Sequence, residues 1–586
     1  MSIGMILNVA KDALLTQQYA IDIVSHNITN VNTEGYSRQS PVFKAKQAVP
    51  IGGFMFGRGV ELGQILRDTD TYIENSLQQR ESDLAALSQK ETYLNVMEGI
   101  FNESSDWSLS TQFAEFWSAW QDLSNNPSGL AERSILFESG SLLAQSFNSI
   151  YSDLDKLTDE INNGMEAGVD HINQLLARIA DINEQIVTIE ATGNANDLRD
   201  QRNMLVRGLS DYIDITTYEN GDGSINVTAG GGYTLVTRAN AYELSFDGSD
   251  VKWQGSNNSE VTVTDAISGG KLGGWLDVRD EILPKYTADF NELAESVIWE
   301  LNKIHTQGVG LTGFTDLTGS YGATLDSSEE MGTSDSGLAF YEGIEDEGSF
   351  KFWLYDDSGN VVGGGATTLT IDNDPGGTTL QDLADSITAI HANVTATVTS
   401  DNKLQIASSG SYTFGFSDDT SNVLAALGLN TFFKGTDAGT MAVNPVLASQ
   451  KSFIAAAKID GTGNFVSGDN ANALDIADLQ YGGVDLKRWT YARGSSPVSE
   501  DVTGTTLETY LHSLVGSVGI KSQSIRREKE YNEVIANQLS QTRDSISAVS
   551  LDEEMSNLIK YQQAYAAAAK LISVADEMFT TLLQAR

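Results

Sequence analysis

The sequence predicts a multidomain, mainly α-helical protein with β-rich insertions. Apolar residues recur at steps of three and four at both chain ends and through most of residues 68–211, and this is the spacing of a buried helix face. Residues 212–275 and 340–435 instead alternate apolar and polar side chains between Gly-rich and Asn-rich turns, which is typical of strands. A chain of 586 residues is also too long for a single core.

The two ends predict helices that pair with each other. Between Ile3 and Ile28, seven of the eight positions on one helix face are apolar. From Leu551 to Leu582, nine of ten heptad seam positions are apolar or aromatic, and Glu554 is the exception. Because such a seam needs a partner helix and the other end offers one of matching length, we expect paired, coiled-coil-like terminal helices.

Long helices are predicted for a rod domain between residues 70 and 210. Phe113, Phe116, Trp117 and Trp120 fall on one helix face and predict a core or partner contact. The longest apolar repeat, over residues 143–189, predicts a helix of about 70 Å at 1.5 Å per residue. Gly164 and Gly168 interrupt that repeat and are candidate kink positions. A short helix should follow at 194–207, and another helix is expected over 276–305.

Two nested β-rich domains are expected further along the chain. Asn-Gly and Asp-Gly pairs punctuate the first, at 212–265. The stretch 308–340 is predicted as a loop, and the second β unit follows with a strand at 369–371, a short helix at 379–391, a hairpin at 394–407 and a strand at 412–416. Residues 441–519 should mix loop with helices at 471–480 and 505–516, and a weaker helical run covers 521–546.

These patterns predict five structural domains. They are a terminal helical assembly domain (1–67 plus 520–586), a long-helix rod domain (68–211, 276–307 and 500–519), a small β domain (212–275), a β/α insertion module (340–435) and a mixed return segment (436–499).

Charge is concentrated in the middle of the chain. The formal net charge is −44, yet residues 1–67 carry six basic and four acidic side chains and residues 520–586 carry eight and nine. Near-neutral ends suit packing between copies, and an acidic middle suits a solvated exterior. The excess of acids argues against nucleic acid as a partner. No apolar run is long enough for membrane insertion, and the first residues lack the pattern of a cleaved signal peptide.

Catalytic signatures are weak. The chain has no cysteine, and its five histidines are far apart, so neither thiol chemistry nor a metal site is predicted. His171 and His305 are expected to be solvated or to cap helices. Residues 372–376 resemble the start of a calcium loop, but the twelfth position is Leu383, and a type I turn is the better interpretation. We expect no catalytic residues, no cofactor and no metal.

Five segments carry a resemblance to a known family. Residues 27–39 (NITNVNTEGYSRQ) resemble the N-terminal signature of bacterial flagellar axial proteins, although that family usually has Pro where this chain has Glu34. Residues 549–579, with VSLDEE, YQQAY and ADEMF, resemble the C-terminal signature. The interior motifs DLRDQR at 197–202 and GGWLDVRD at 273–280, with LNKIH at 301–305, resemble the hook-associated members of that family. The resemblance covers about 1–310 and 440–586.

The resemblance implies a structural protein of the hook–filament junction. It implies an extracellular adaptor ring of copies of the chain between the hook protein and a second junction protein, hook-associated protein 3. It also implies export without a cleaved signal peptide, terminal helices that stay disordered until assembly, and an export chaperone that covers the C-terminal region, 521–586. The expected subunit-contact seam is Ile21, Val24, Ile28, Leu558, Tyr565, Ile572 and Phe579.

The expected axial-protein turn motif is Asn27, Asn30, Asn32, Thr33, Gly35 and Tyr36. Three alternatives to the junction protein are open. One is another axial protein such as a flagellin, one is a secreted, calcium-dependent acidic adhesin, and one is a peptidoglycan hydrolase. The failed calcium loop counts against the adhesin, and no motif supports the hydrolase.

Overall fold

The computed structural model of the protein describes residues 3–101, 108–191, 193–257, 259–372 and 377–584. Long helices dominate this part of the chain. The α-helices are α1 (Ile3–Thr29), α2 (Thr71–Ile100), α3 (Leu109–Asn125), α4 (Leu130–Glu190), α5 (Asn196–Ser210), α6 (Gly270–Asp277), α7 (Leu283–His305), α8 (Leu380–Thr388), α9 (Val423–Ala426), α10 (Pro445–Ser449), α11 (Ala471–Asp478), α12 (Leu507–Ser547) and α13 (Leu551–Gln584).

Strands are short and pair in small antiparallel sheets. They are β1 (Gln39–Ala45), β2 (Val49–Ile51), β3 (Phe54–Phe56), β4 (Val60–Arg67), β5 (Ile215–Glu219), β6 (Ile225–Ala229), β7 (Thr234–Thr237), β8 (Asn240–Ala241), β9 (Leu244–Phe246), β10 (Val251–Gln254), β11 (Glu260–Thr262), β12 (Gly308–Val309), β13 (Asp316–Gly322), β14 (Ser349–Tyr355), β15 (Thr367–Thr370), β16 (Val394–Val398), β17 (Lys403–Ser408), β18 (Thr413–Ser417), β19 (Phe433–Lys434), β20 (Ala442–Val443), β21 (Ala457–Lys458), β22 (Val484–Thr490) and β23 (Val498–Thr505).

The chain divides into two compact units. The first comprises Met1–Thr92, Glu160–Val278 and Gln523–Arg586, and the second comprises Tyr93–Asp159 and Arg279–Ser522. The predicted fold class, mainly helical with β-rich insertions, is confirmed at this level. The finer domain boundaries, the nesting of the β domains and the coiled-coil character of the ends stay predictions.

The first unit combines the terminal helices with small sheets. β1 and β4 form an antiparallel ribbon with a bulge between Val42 and Phe43, and this ribbon packs on α1. The β unit predicted at 212–265 is confirmed as a four-stranded sheet, in the order β5-β6-β7-β8, and a three-stranded sheet, in the order β11-β10-β9.

The candidate kink positions in the longest helix have a packing role instead. α4 is one helix that continues through Gly164 and Gly168. The side chain of Trp275 lies against both glycines, and a Cβ atom added at Gly168 would lie 2.7 Å from Trp275 Cζ3. Gly168 therefore supplies the room that the indole ring needs.

The second unit has an aromatic core. The side chains predicted to share a face of α3 are at most 2% exposed, so the prediction of a core contact is confirmed for Phe113, Phe116, Trp117 and Trp120. Phe116 packs on the rings of Phe432 and Phe433, with ring centroids 5.8 Å and 5.5 Å apart. One face of α7 is likewise buried.

His305 corrects the expectation of a solvated or capping histidine. Its side chain is fully buried. Nδ1 donates to the carbonyl oxygen of Asn430 at 2.7 Å, and Nε2 accepts from the backbone N–H of Ala455 at 3.0 Å. Since Nε2 accepts, the imidazole is neutral, and burial lowers the pKa of His305 to about 4. His171 is exposed, and its ring lies 4.7 Å from that of Tyr212.

Several predicted helices, strands and loops differ from those in the structure. The region predicted as a loop at 308–340 contains β13, which pairs with β17. β14, which lies between β15 and β18, and the β22–β23 hairpin were not predicted. Helical segments predicted separately at 505–516 and 521–546 form one helix, α12, because two isolated glycines weaken a helix without ending it. The predicted turn at 372–376 lies, from residue 373 on, outside the described residues.

Candidate functional site

The two ends of the chain form one antiparallel helix pair. α1 packs along α13, with the C-terminal end of α1 beside the start of α13. Small side chains are buried on both helices: Ala10 and Ala20 on α1, and Ala568 and Ala575 on α13, are each at most 5% exposed. Alanine at the contact lets two helix backbones approach closely.

The predicted seam residues divide between buried and exposed positions. Val24 is 2% exposed, whereas Tyr565 is 39% and Phe579 is 51% exposed. The remaining four, Ile21, Ile28, Leu558 and Ile572, are partly buried. The core of the helix pair thus uses the alanine positions more than the large seam residues, and the contact of these seam residues with another subunit stays a prediction.

The outer face of the helix pair is apolar. On α1, Leu15 and Tyr19 are 41% and 50% exposed. On α13, the large apolar side chains other than Tyr565 and Phe579 that are at least 39% exposed are Leu551, Met555, Ile559, Leu571, Val574, Met578, Leu582 and Leu583. We call these exposed α13 residues, together with Tyr565 and Phe579, the outer apolar face, although Tyr565 and Phe579 lie in the same heptad seam as Ala568 and Ala575 and are exposed members of it. A contiguous exposed apolar surface marks an interaction site.

Asn27 joins the two terminal motifs. Its Nδ2 donates to the carbonyl oxygen of Gln39 and to Oε2 of Glu554, both at 2.9 Å. Its Oδ1 accepts from the backbone N–H of Gln39 at 3.0 Å and from the Tyr36 hydroxyl at 2.7 Å. Asn27 and Glu554 are at most 3% exposed, so the polar exception in the C-terminal seam has its partner in the N-terminal motif.

The hydroxyl of Tyr36 serves this arrangement as a donor. Burial, with the nearby carboxylates of Asp197, Asp200 and Glu554, raises the pKa of Tyr36. The phenol therefore stays protonated at physiological pH and keeps its hydrogen bond to Asn27.

The rest of the axial-protein turn is built from local hydrogen bonds. Asn30 Nδ2 donates to the carbonyl oxygen of His26 at 3.0 Å, and Thr33 Oγ1 donates to Asn30 Oδ1 at 3.1 Å. Gly35 has a φ of 74°, a left-handed value that favours glycine. A Cβ there would lie 2.5 Å from Met204 Cγ. Asn32 lies at the exposed surface of the turn.

The DLRDQR motif anchors this turn, a role that sequence reasoning missed. Asp197 Oδ1 accepts from Gln39 Nε2 at 2.9 Å, and Asp200 Oδ2 accepts from the backbone N–H of Ser37 at 3.1 Å. Asp200 also pairs with Arg67 at 2.8 Å. The resemblance of residues 197–202 to a family motif was a signal of importance, but the spacing of more than 150 residues concealed the partner of these residues.

Arg38 adds a second link between the terminal motifs. Its Nε lies 2.9 Å from Asp68 Oδ2, and its Nη1 lies 2.7 Å from Glu553 Oε2. The backbone N–H of Arg38 donates to the carbonyl oxygen of Ser547 at 2.8 Å. The turn therefore contacts both the end of α12 and the start of α13.

Two kinds of feature, a metal-binding cluster and a membrane-spanning helix, are absent from the part of the chain that the structure describes. Within the described ranges, no group of three or more His, Asp or Glu side chains is placed to hold a metal ion. Of the helices described, none is long and apolar enough to cross a membrane.

Three family models match the chain. The model described as "Flagellar hook-associated protein FlgK helical domain" matches residues 94–321. "Flagella basal body rod protein" matches residues 7–36, and "Flagellar basal body rod FlgEFG protein C-terminal" matches residues 540–585. The two terminal matches coincide with the motifs that Asn27 and Glu554 connect.

Curated relatives match almost from end to end. Flagellar hook-associated protein 1 of Bacillus subtilis is 25% identical over 98% of this chain and 97% of its own length. The protein of the same name in Escherichia coli is 25% identical over 99% of this chain and 100% of its own. The Salmonella typhimurium protein is 26% identical over the same shares.

The chain is therefore similar to flagellar hook-associated protein 1 over nearly its whole length.

A solved structure agrees with this assignment at the level of the fold. The flagellar hook junction protein FlgK from Burkholderia pseudomallei matches with a TM-score of 0.52 and 16% identity, over 81% of this chain and 100% of that one. Together, the curated relatives and the FlgK family model support a structural component of the flagellar hook–filament junction. The flagellin and adhesin alternatives are not favoured by these relatives.

Proposed function

We propose that this protein joins hook to filament as an adaptor ring whose copies contact one another through α1 and α13. The hook protein would lie on one side and hook-associated protein 3 on the other. In this role the protein is an extracellular, non-enzymatic part of the flagellum.

The observation that carries the proposal is the outer apolar face. Ten large apolar side chains of α13 are exposed, by 39% to 61%, while the same helix buries Ala568 and Ala575 against α1. A surface helix normally has a polar outer face. Large apolar side chains that stay exposed on a helix whose alanines are already covered support contact with a second partner.

Charge supports the same arrangement. Residues 1–67 and 520–586 are nearly neutral in a chain of net charge −44. Like charges repel at close range, so the near-neutral ends suit contact between copies and the acidic remainder suits the solvated outside.

The exposed apolar residues of α13 also bear on how the protein is exported. We infer that the chain leaves the cell unfolded without a cleaved signal peptide, with its terminal helices disordered until assembly. The outer apolar face would cause premature association before export. A chaperone that binds within 521–586 would cover it.

The test compares two substitutions on α13 in a strain deleted for this gene. Phe579→Asp places a charge on the outer apolar face, and Gln562→Asp places one at an exposed polar position of the same helix. We expect electron microscopy to show bare hooks, with flagellin shed into the medium, for Phe579→Asp and attached filaments for Gln562→Asp.

Secretion of each variant is measured by immunoblot of the medium, because a variant that fails to leave the cell also yields bare hooks. Attached filaments with a fully secreted Phe579→Asp protein would contradict assembly through this face. Normal filaments in the deletion strain itself would contradict the junction role.

A further inference from the structure

The hairpin formed by β2 and β3 has an exposed apolar tip. Phe54 is 72% exposed, Met55 is 67% and Ile51 is 46%. Gly52 and Gly53 turn the chain at the tip with φ values of 59° and 89°. Cβ atoms added at these glycines would have no atom within 4 Å. The tip therefore projects from the surface with its largest apolar side chains uncovered.

The base of the hairpin is held firmly on α1. The backbone N–H of Lys46 donates to the carbonyl oxygen of Gly59 at 3.0 Å. Lys46 Nζ pairs with Asp12 Oδ2 at 2.6 Å, and a Cβ at Gly59 would lie 3.4 Å from Val9 Cγ1. A fixed base and an uncovered tip give the hairpin a set direction relative to the terminal helix pair.

The segments that flank the hairpin are basic in an acidic protein. Residues 41–60 contain Lys44, Lys46 and Arg58 and no acidic residue. Lys46 pairs with Asp12, whereas Lys44 and Arg58 are exposed. An apolar tip flanked by cations fits an apolar surface that carries acids.

We propose that this hairpin docks on residues 571–583 of α13 in a second copy of the chain. Leu571, Val574 and Met578 are spaced by three and four residues, so they share one helix face, and they are 50%, 39% and 46% exposed. Asp576 and Glu577 lie beside them, and 571–583 contains no basic residue. This inference rests on the proposed assembly through the terminal helices. It names the two surfaces that meet, which are the hairpin of one copy and residues 571–583 of the next.

The absence of cysteine from the chain makes a cross-linking test clean. Phe54→Cys and Val574→Cys proteins with different epitope tags are co-expressed in the deletion strain, and isolated junctions are oxidised. Because each protein holds one cysteine, a dimer with both tags reports contact between copies and never within one chain. The control pairs Phe54→Cys with Gln562→Cys, an exposed position elsewhere on α13.

We expect at least a tenfold excess of the Phe54–Val574 dimer over the control dimer. Equal yields of the two dimers, or exclusive cross-linking of Phe54→Cys to the hook protein through an introduced cysteine there, would overturn the docking proposal. Filaments on the cells show in the same experiment whether the junction itself forms. Absent dimers with normal filaments therefore refute the hairpin contact alone, whereas normal filaments in the deletion strain without either protein refute the proposed function.

A second variant tests the contact without oxidation. Phe54→Asp puts a charge on a 72% exposed side chain, so it leaves the fold of the chain intact. We expect filaments of this variant to detach at a severalfold lower shear force than those of wild type. Unchanged detachment would overturn the proposal.

Discussion

The buried imidazole of His305 predicts that the second unit loses stability in mild acid. Burial is the main cause that lowers its pKa to about 4, and the charge of Arg133 acts in the same direction. The ordinary value for histidine is about 6.5. Between these values the unfolded chain binds a proton that the folded chain excludes, so stability is full above pH 6.5 and falls as the pH drops toward 4.

The size of the effect follows from the two pKa values. Linkage gives a loss of about 2 kcal/mol between pH 8 and pH 5, and of about 3 kcal/mol by pH 4. Because the many carboxylates of the chain also titrate in acid, the quantity to measure is a difference between variants. His305→Gln replaces the imidazole with a neutral amide, so its cost relative to wild type should shrink by about 2 kcal/mol from pH 8 to pH 5.

The assay is hydrogen exchange of peptides that cover residues 300–308 and 450–458, which report local opening at this site. His512→Gln, at an exposed position of α12, is the matched control and should show no such change. A cost of His305→Gln that is the same at pH 8 and pH 5 would refute the argument that the buried imidazole is neutral.

Two further predictions concern the first unit. Gly168→Ala should destabilise by about 1–3 kcal/mol through overpacking against Trp275, whereas Gly164→Ala, whose Cβ would lie 3.5 Å from the same ring, should stabilise by about 0.5–1 kcal/mol through helix propensity. Urea unfolding of the Gly168→Ala and Gly164→Ala proteins measures these changes in stability. Equal effects of the two substitutions would contradict the packing role of Gly168. In assembled junctions, where the terminal helices are ordered, Asn27→Ala and Glu554→Ala should show a coupling of about 1–3 kcal/mol in a double-mutant cycle, read by hydrogen exchange of residues 20–29. Additive costs would argue against the pair.

The sequence was sufficient for the features that repeat locally. The helices at both ends were predicted within one residue of their observed starts. They have 27 and 34 residues, so the apolar positions of each helix repeat many times along its length. The first β unit was located with the help of its turn dipeptides, since the geometry of a short turn is set by its own residues. Both kinds of signal need no knowledge of distant partners.

Features that depend on distant partners were missed. β13 is rich in Gly, Ser and Thr and becomes a strand because β17, more than 80 residues later, pairs with it. His305 was predicted to be solvated from its polar neighbours in sequence, yet its surroundings come from Asn430 and Ala455. Local composition cannot report a contact of that separation.

The site shows the same division. The periodicity indicated which two helices pair, but it placed large residues at the seam where the structure places alanine. Ala568 and Ala575 lie in the same heptad pattern as Tyr565 and Phe579. A pattern of apolar positions does not tell small from large side chains, and only packing decides which of them fit between two close backbones.

The alanines between α1 and α13 do not fix how the two helices align along their length, because small, uniform side chains allow one helix to slide along the other. The Asn27–Glu554 contact supplies the missing specificity. A buried polar pair forms its hydrogen bonds in one alignment and would leave a buried carboxylate unsatisfied in every other. Fixed register in turn fixes which apolar side chains of α13 point outward. The terminal motifs therefore determine which apolar surface of the helix pair is exposed, although Asn27 and Glu554 themselves lie inside the helix pair.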